Sequence, residues 1–222
     1  MKKIMILVLL MLISISFVFC EDQLSSEPII LDNFEDGDIA EAPNWWKFDR
    51  LKLRVQSTKE YDIPELGKFL LSLKGQAKGW YVGGLGMYLA QPVDLHTHFQ
   101  LDVFGTGEDS GMLKIELYED DNYNKQIEQN IANNYLPVKD DKWSYELPID
   151  WEGWQQILVP FSEFEDVNPK VGNNRWDPDG YRDSGGLVNI QFIVVASSEV
   201  GEVNFKIDNV QIIKYEEEEE EH

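Results

Sequence analysis

Apolar side chains recur at every second position along most of this chain, the period of a strand with one face in a core. Between Gly79 and Gly105, Leu85, Met87 and Leu89 fall on one face, and Gly84, Gly86 and Tyr88 on the other. After a break at Gln91-Pro92, Phe99, Leu101 and Val103 alternate with Gln100, Asp102 and Phe104. A third run sets Leu113, Ile115 and Leu117 against Lys114, Glu116 and Tyr118. Comparable runs occupy 28–34, 51–58, 69–75, 143–147, 155–160, 188–196 and 202–213, with turn-forming Gly, Pro, Asn and Asp between them. About ten strands without an amphipathic helix predict an all-β fold, a β-sandwich or jelly roll of two antiparallel sheets.

Departures from the period carry further expectations. The glycines between Gly79 and Gly86 thin one strand face, which fits either a bulged edge strand or the close approach of a ligand or another backbone. In the last run Val203, Phe205 and Ile207 share a face, but Val210 and Ile212 rejoin it only if the register slips at Asp208-Asn209. Such a slip is a bulge and re-aims a side chain. Two long connections, 119–141 and 165–186, are rich in Asn, Asp and Gly and belong to the class that is functional or mobile. One helical turn is expected at 126–130, and Trp45-Trp46 is expected in a loop opened by Pro43 and Asn44.

The ends have a different composition. Lys2-Lys3 followed by the apolar run from Ile4 to Phe19 reads as an export signal over residues 1–20, too short for a comfortable membrane span. Cys20, the single cysteine, stands either at an ordinary cleavage site or as a lipid acceptor, although the large Phe19 before it departs from the usual small residue. Residues 21–27 form a polar spacer, 28–215 the β-sandwich domain, and 216–222 an acidic tail. The protein is expected to be secreted or at the cell surface, with membrane contact only through a lipid on Cys20. Cleavage after Cys20 leaves no thiol, and with it neither a disulfide nor cysteine catalysis.

The 222 residues carry a formal charge of −22, and loss of Lys2 and Lys3 with the leader makes the mature chain more negative. Such a field repels phosphate backbones, excluding nucleic acid as a partner, while a neutral hydroxyl-rich polymer or a divalent cation is compatible with it.

Four segments in order carry a resemblance. Leu31-Asp32-Asn33-Phe34-Glu35-Asp36-Gly37, the stretch from Gly83 through Val93-Asp94-Leu95 to Gly105, the run from Gly153 to Phe164 with its W-x-x-x-x-x-P-F-S-x-F pattern, and Lys206-Ile207-Asp208-Asn209-Val210 together resemble family 11 carbohydrate-binding modules of the galactose-binding-like β-sandwich group. The resemblance spans residues 29–214 and implies non-catalytic binding of a polysaccharide of the β-glucan type. The same fold also serves cell-surface structural or assembly subunits, and that alternative stays open. Resembling domains pair the first and last strands, which implies a structural calcium held by Glu35, Asp36 and Asp208 with six to eight oxygens; the alternative is an ordinary Asp36-Gly37 turn. They also imply a core position for Trp154.

Candidate ligand residues follow from stacking chemistry. Sugar rings lay flat C–H faces on aromatic planes and need hydrogen-bonding groups at their edges. Trp80, Tyr88, Asp102, Glu116, Tyr118 and Gln191 all point outward and form one such surface if their strands are neighbours, with Trp46 and Trp176 either walling it from loops or packed against a neighbouring loop. Catalytic patterns are missing: there is no E-x-D-x-E run and no G-x-S-x-G. His96 and His98 flank Thr97 on a corner, without a third zinc ligand placed beside them. The loop Asp177-Pro178-Asp179-Gly180-Tyr181-Arg182-Asp183 sets oxygen ligands at alternate positions but lacks the full spacing and terminal Glu of an EF-hand; it reads as a turn, with a metal site as the alternative.

Overall fold

In the computed structural model, which describes residues 27–40, 43–59, 61 and 67–215, the alternating runs become fourteen strands among the described residues. In chain order they are β1 (Ile29–Asp32), β2 (Trp46–Asp49), β3 (Lys52–Ser57), β4 (Phe69–Gln76), β5 (Tyr81–Gln91), β6 (His98–Thr106), β7 (Gly111–Asp120), β8 (Gln129–Asn130), β9 (Leu136–Pro137), β10 (Asp141–Ile149), β11 (Glu152–Pro160), β12 (Glu165–Asp166), β13 (Gly186–Val195) and β14 (Glu202–Ile213). The export signal with Cys20, all but the last residue of the spacer and the acidic tail lie outside the described residues. No described helix is long and apolar enough to cross a membrane.

Two six-stranded antiparallel sheets stack face to face, as the alternation predicts. The first runs β11-β6-β14-β4-β3, with β1 also on β14; the second runs β12-β10-β7-β13-β5-β2. Strand β14 is shared along its length: Glu202 to Ile207 pair with β4, whereas Val210 to Ile212 pair with β1. The hand-over falls at Asp208-Asn209, where the register against β6 shifts and Asn209 takes φ 47°. The slip read from the change of face is therefore a real bulge.

Between the sheets lies the core. Leu101 and Val103 of β6, Phe205 and Ile207 of β14, Leu113, Ile115 and Leu117 of β7, and Ile190, Phe192 and Val194 of β13 are fully buried. Phe192 bridges the layers, stacking on Trp45 with centroids 5.5 Å apart and meeting Phe99 of the first sheet edge-on at 6.1 Å. The Trp45 indole N–H donates to Asp32 Oδ2 at 2.8 Å, so its polar end is satisfied and its body serves the core.

Two local expectations are corrected. Trp46 is not in a loop: it opens β2, an edge strand paired with the glycine-rich stretch of β5. The 119–141 connection holds no helical turn at 126–130; a 3-10 turn at Ile131–Asn133 follows Asn130, whose side chain caps Ala132 N at 3.0 Å. Asn competes for backbone donors locally, which favours such caps over longer helix.

Truncation of the layer-bridging ring, Phe192→Ala, is expected to cost about 3–5 kcal/mol of unfolding free energy in a urea titration, because the cavity is walled by both sheets.

Candidate functional site

The outward positions of the second sheet line up in rows because antiparallel register places them opposite one another. One row crosses five strands, Ser144–Glu116–Gln191–Gly86–Trp46. A second reads Lys142–Tyr118–Asn189–Tyr88, and a third Glu146–Lys114–Ile193–Gly84–Phe48. Over them lies a groove of about 650 Å³ lined by Trp46, Phe48, Tyr81, Glu116, Tyr118 and Gln191, with Lys142, Asp49, Gln129 of β8 and the loop residues Asn134 and Tyr135 around it.

The glycines explain the floor. A methyl at Gly86 would sit 2.7 Å from the Trp46 ring, and one at Gly84 would sit 2.4 Å from Phe48. The thinned strand face is thus filled by aromatic rings of β2 and is not bare. Trp46 keeps 38% of its surface open and offers a plane at the groove edge.

At the centre stands Glu116. Its Oε1 pairs with Lys142 Nζ at 2.9 Å, and its Oε2 accepts from the Tyr118 hydroxyl at 2.9 Å. That hydroxyl also lies 3.4 Å from Gln191 Oε1, and Lys142 sits over the Tyr118 ring at 5.2 Å. Burial, then the charge and the hydrogen bond of Glu116, raise the Tyr118 hydroxyl far above its ordinary value. On the other side Tyr81 donates to Asp49 Oδ2 at 2.6 Å, and burial followed by this acceptor raises its pKa as well. The result is a preorganised row of carboxylates, amide and aromatic plane.

Placement of the expected residues is mixed. Glu116, Tyr118, Gln191 and Trp46 come together in the groove. Tyr118, however, is only 2% exposed and is floor, not a stacking platform. Tyr88 shares the face one row along, 55% exposed, with its hydroxyl donating to the Lys125 carbonyl. Asp102 does not share it: β6 belongs to the other sheet, where Asn209 Nδ2 donates to Asp102 at 2.7 Å and burial raises its pKa. Trp80 sits in the turn before β5 at φ 71°, 47% exposed and outside the groove lining. Trp176 packs against Phe161 and Trp143 at the sandwich end and lines a separate depression of about 580 Å³ with Asp94, His98, Pro160 and Asp179. Trp154 is not in the core: it lies on the outer face of the first sheet against Phe104 and Tyr61. His96 reaches the Glu27 carbonyl at 2.9 Å and His98 packs on Tyr215, as corner residues do.

Sequence reasoning missed Tyr81, Asp49, Lys142 and Tyr135. Lys142 is the one with a usable signal, since register opposite Tyr118 follows once β7 and β10 are paired.

For metals, Glu35 Oε1 accepts from Lys68 N and Phe69 N, and Asp36 Oδ1 closes its own turn by accepting from Asp38 N. Asp208 is fully buried beside Asp102, Glu35 and Asp32, and burial pushes its carboxyl up to about 8. A group within metal-ligand reach lies elsewhere: carboxylate oxygens of Glu119, Asp121 and Asp177 fall within 4.8 Å of one another. Burial, then the Asp177 carboxylate, pushes Glu119 up to about 10; burial and Asp141 push Asp121 to about 7. In the loop read as a plain turn, Asp179 does accept from Tyr181 N, but Asp177 turns to this cluster.

Residues 29–214 match the family model described as surface glycan-binding protein B xyloglucan binding domain. Among solved structures, the family 11 carbohydrate-binding module of the cellulosomal cellulase Lic26A-Cel5E of Clostridium thermocellum is similar at TM-score 0.53 and 15% identity, covering 88% of this chain and 99% of that one. A Clostridium thermocellum family 11 module in complex with a β-1,3-1,4-mixed-linked tetrasaccharide gives 0.52 and 17%, over 86% and 97%. An exo-β-agarase gives 0.51 and 15%, over 86% of this chain and 25% of its own. At these identities the likeness is of fold. No curated protein shows significant sequence similarity.

The acidic cluster sets a pH dependence. A carboxyl whose folded pKa exceeds its unfolded value opposes folding as pH rises, because the unfolded chain releases a proton that the folded one retains. In metal-chelating buffer, this contribution to stability is therefore expected to be complete below the ordinary carboxyl range, at about pH 4, and to be lost progressively as pH rises towards the values of Asp141 at about 6, Asp121 at about 7 and Glu119 at about 10. Between pH 8 and pH 5.5 the gain should reach at least ~1 kcal/mol, raising the melting temperature by roughly 2–4 °C.

Proposed function

The chain belongs to the family of surface glycan-binding protein B xyloglucan-binding domains, and on that premise we propose that it is an exported, non-catalytic domain that binds a neutral β-glucan chain along the groove of its second sheet. Glycan binding is the family's activity; the glycan class, the groove and the roles below are our reading. What carries it is the cross-sheet row Trp46–Gly86–Gln191–Glu116, which supplies a stacking plane beside edge-directed acceptors and donors. A pyranose laid on Trp46 would turn its hydroxyls toward Gln191, Glu116 and Asp49. Lys142 and Tyr118 hold Glu116 ready as an acceptor, so little ordering entropy is lost on binding. The formal charge of −22 favours neutral chains over polyuronates by repulsion.

The same reading includes export by residues 1–20 and calcium as a support of the scaffold that does not touch the sugar. Intact mass of the exported protein separates cleavage after Cys20 from a lipid on it.

Affinity gels and calorimetry with xyloglucan and mixed-linkage β-glucan test the groove. Trp46→Ala should weaken binding by at least ~10-fold, about 1.4 kcal/mol. Gly86→Val, which pushes the Trp46 ring off the floor, should do the same with the indole intact. Trp80→Ala, outside the groove, should leave affinity unchanged. Binding to no glucan, or loss through Trp80 and not Trp46, overturns the reading.

A further inference from the structure

The C-terminal end of β7 and the start of β10 meet at one corner of the second sheet, and that corner gathers a set of buried carboxyl groups. Glu119 and Asp141 are register partners, and both are fully buried. Asp121 follows on β7's exit, and Asp177 arrives from the loop between β12 and β13. The hydrogen bonding is lopsided. Glu119 Oε1 accepts from Asp177 N at 3.0 Å, Asp121 Oδ2 from Asp141 N at 2.7 Å, and Asp141 Oδ2 from Arg175 N at 3.2 Å. The second oxygen of each, Glu119 Oε2, Asp121 Oδ1 and Asp141 Oδ1, is buried with no partner. Among the described residues no Lys or Arg pairs with any of them.

Once ionised, carboxylates left half-satisfied in this way carry a desolvation penalty and mutual repulsion. Yet the backbone approaches them closely and deliberately. Gly172 stands at φ 68°, and a methyl there would meet Asp141 Oδ1 at 2.2 Å and Asp121 Oδ2 at 2.4 Å. Oxygens bound to one calcium sit no more than about 5 Å apart, twice the usual bond of 2.3–2.6 Å; Glu119, Asp121 and Asp177 meet that span at 4.8 Å. The donor set is all oxygen, without the nitrogen or sulfur that zinc prefers.

We propose that Glu119, Asp121 and Asp177, with Asp141 beside them, bind a calcium ion that fastens the 167–185 loop to the end of the second sheet. The ion converts three orphaned oxygens into ligands and gives the loop a fixed point next to Trp176, whose ring walls the end depression. This rests on the calcium of the reading above and gives it a place away from both the groove and the Asp208 bulge.

Chelator-treated full-length protein is titrated with calcium alone, by calorimetry and melting, and with xyloglucan in parallel. One ion should bind, and calcium at 100 times its Kd should raise the melting temperature by roughly 5–10 °C. The double variant Glu119→Gln with Asp177→Asn should bind calcium at least 100-fold more weakly. In chelator it should melt above the chelated wild type, since the repulsion is gone, which a purely structural role for these carboxylates would not produce. Asp208→Asn should bind calcium as the wild type does. No bound calcium in the wild type, or equal binding by the double variant, overturns the site. Loss in Asp208→Asn alone moves the ion to the first turn and likewise overturns it, while leaving the calcium of the reading standing. Glucan binding through Trp46 is scored separately, so either idea can fall without the other.

Discussion

One register does two jobs in this protein. Pairing of Ile115 with Phe192 and of Glu116 with Gln191 is a single alignment of β7 on β13. It fixes the core on one side and the groove on the other. Because side chains alternate strictly, a slip of one residue would send Glu116 into the core and Ile115 into water. Such a slip would bury a charge and expose an apolar chain at once, so the alignment is enforced from both sides. The outward row inherits its precision from hydrophobic packing it never touches.

That coupling decides how much could be read from the chain. The all-β class, the sandwich, the bulge at Asp208-Asn209 and the outward direction of Glu116, Tyr118 and Gln191 all follow from period two. Neighbourhood does not. Asp102 has the same outward alternation as Glu116, but strand order across non-consecutive segments puts β6 in the other sheet. Depth was equally hidden: Tyr118 points outward and is still buried, because Lys142 from β10 lies over its ring. The glycines signalled close approach correctly, and what approaches is the protein's own Trp46 and Phe48. Resemblance carried Trp154 to the core, where the outer platform of Phe104 and Tyr61 holds it instead.

The acidic residues are sorted and not merely abundant. Those on the surface give the chain a negative field that repels anionic polymers. Those at the β7–β10 corner, Glu119, Asp120, Asp140 and Asp141, are fully buried. Composition sees only the total. Separating the two populations needed the loop after β12 to fold back, a contact between residues 58 positions apart in the case of Asp177 and Glu119.

The hand-over on β14 has a mechanical corollary. Ile29 lies opposite Ile212, so the two ends of the domain leave from one corner, and tension drawn between them peels the short β1 ladder open one rung at a time. The β7–β13 and β5–β13 ladders beneath the groove are much longer and share a load between many rungs. Load drawn between the two ends would thus open the short β1 ladder first and the long β7–β13 and β5–β13 ladders last.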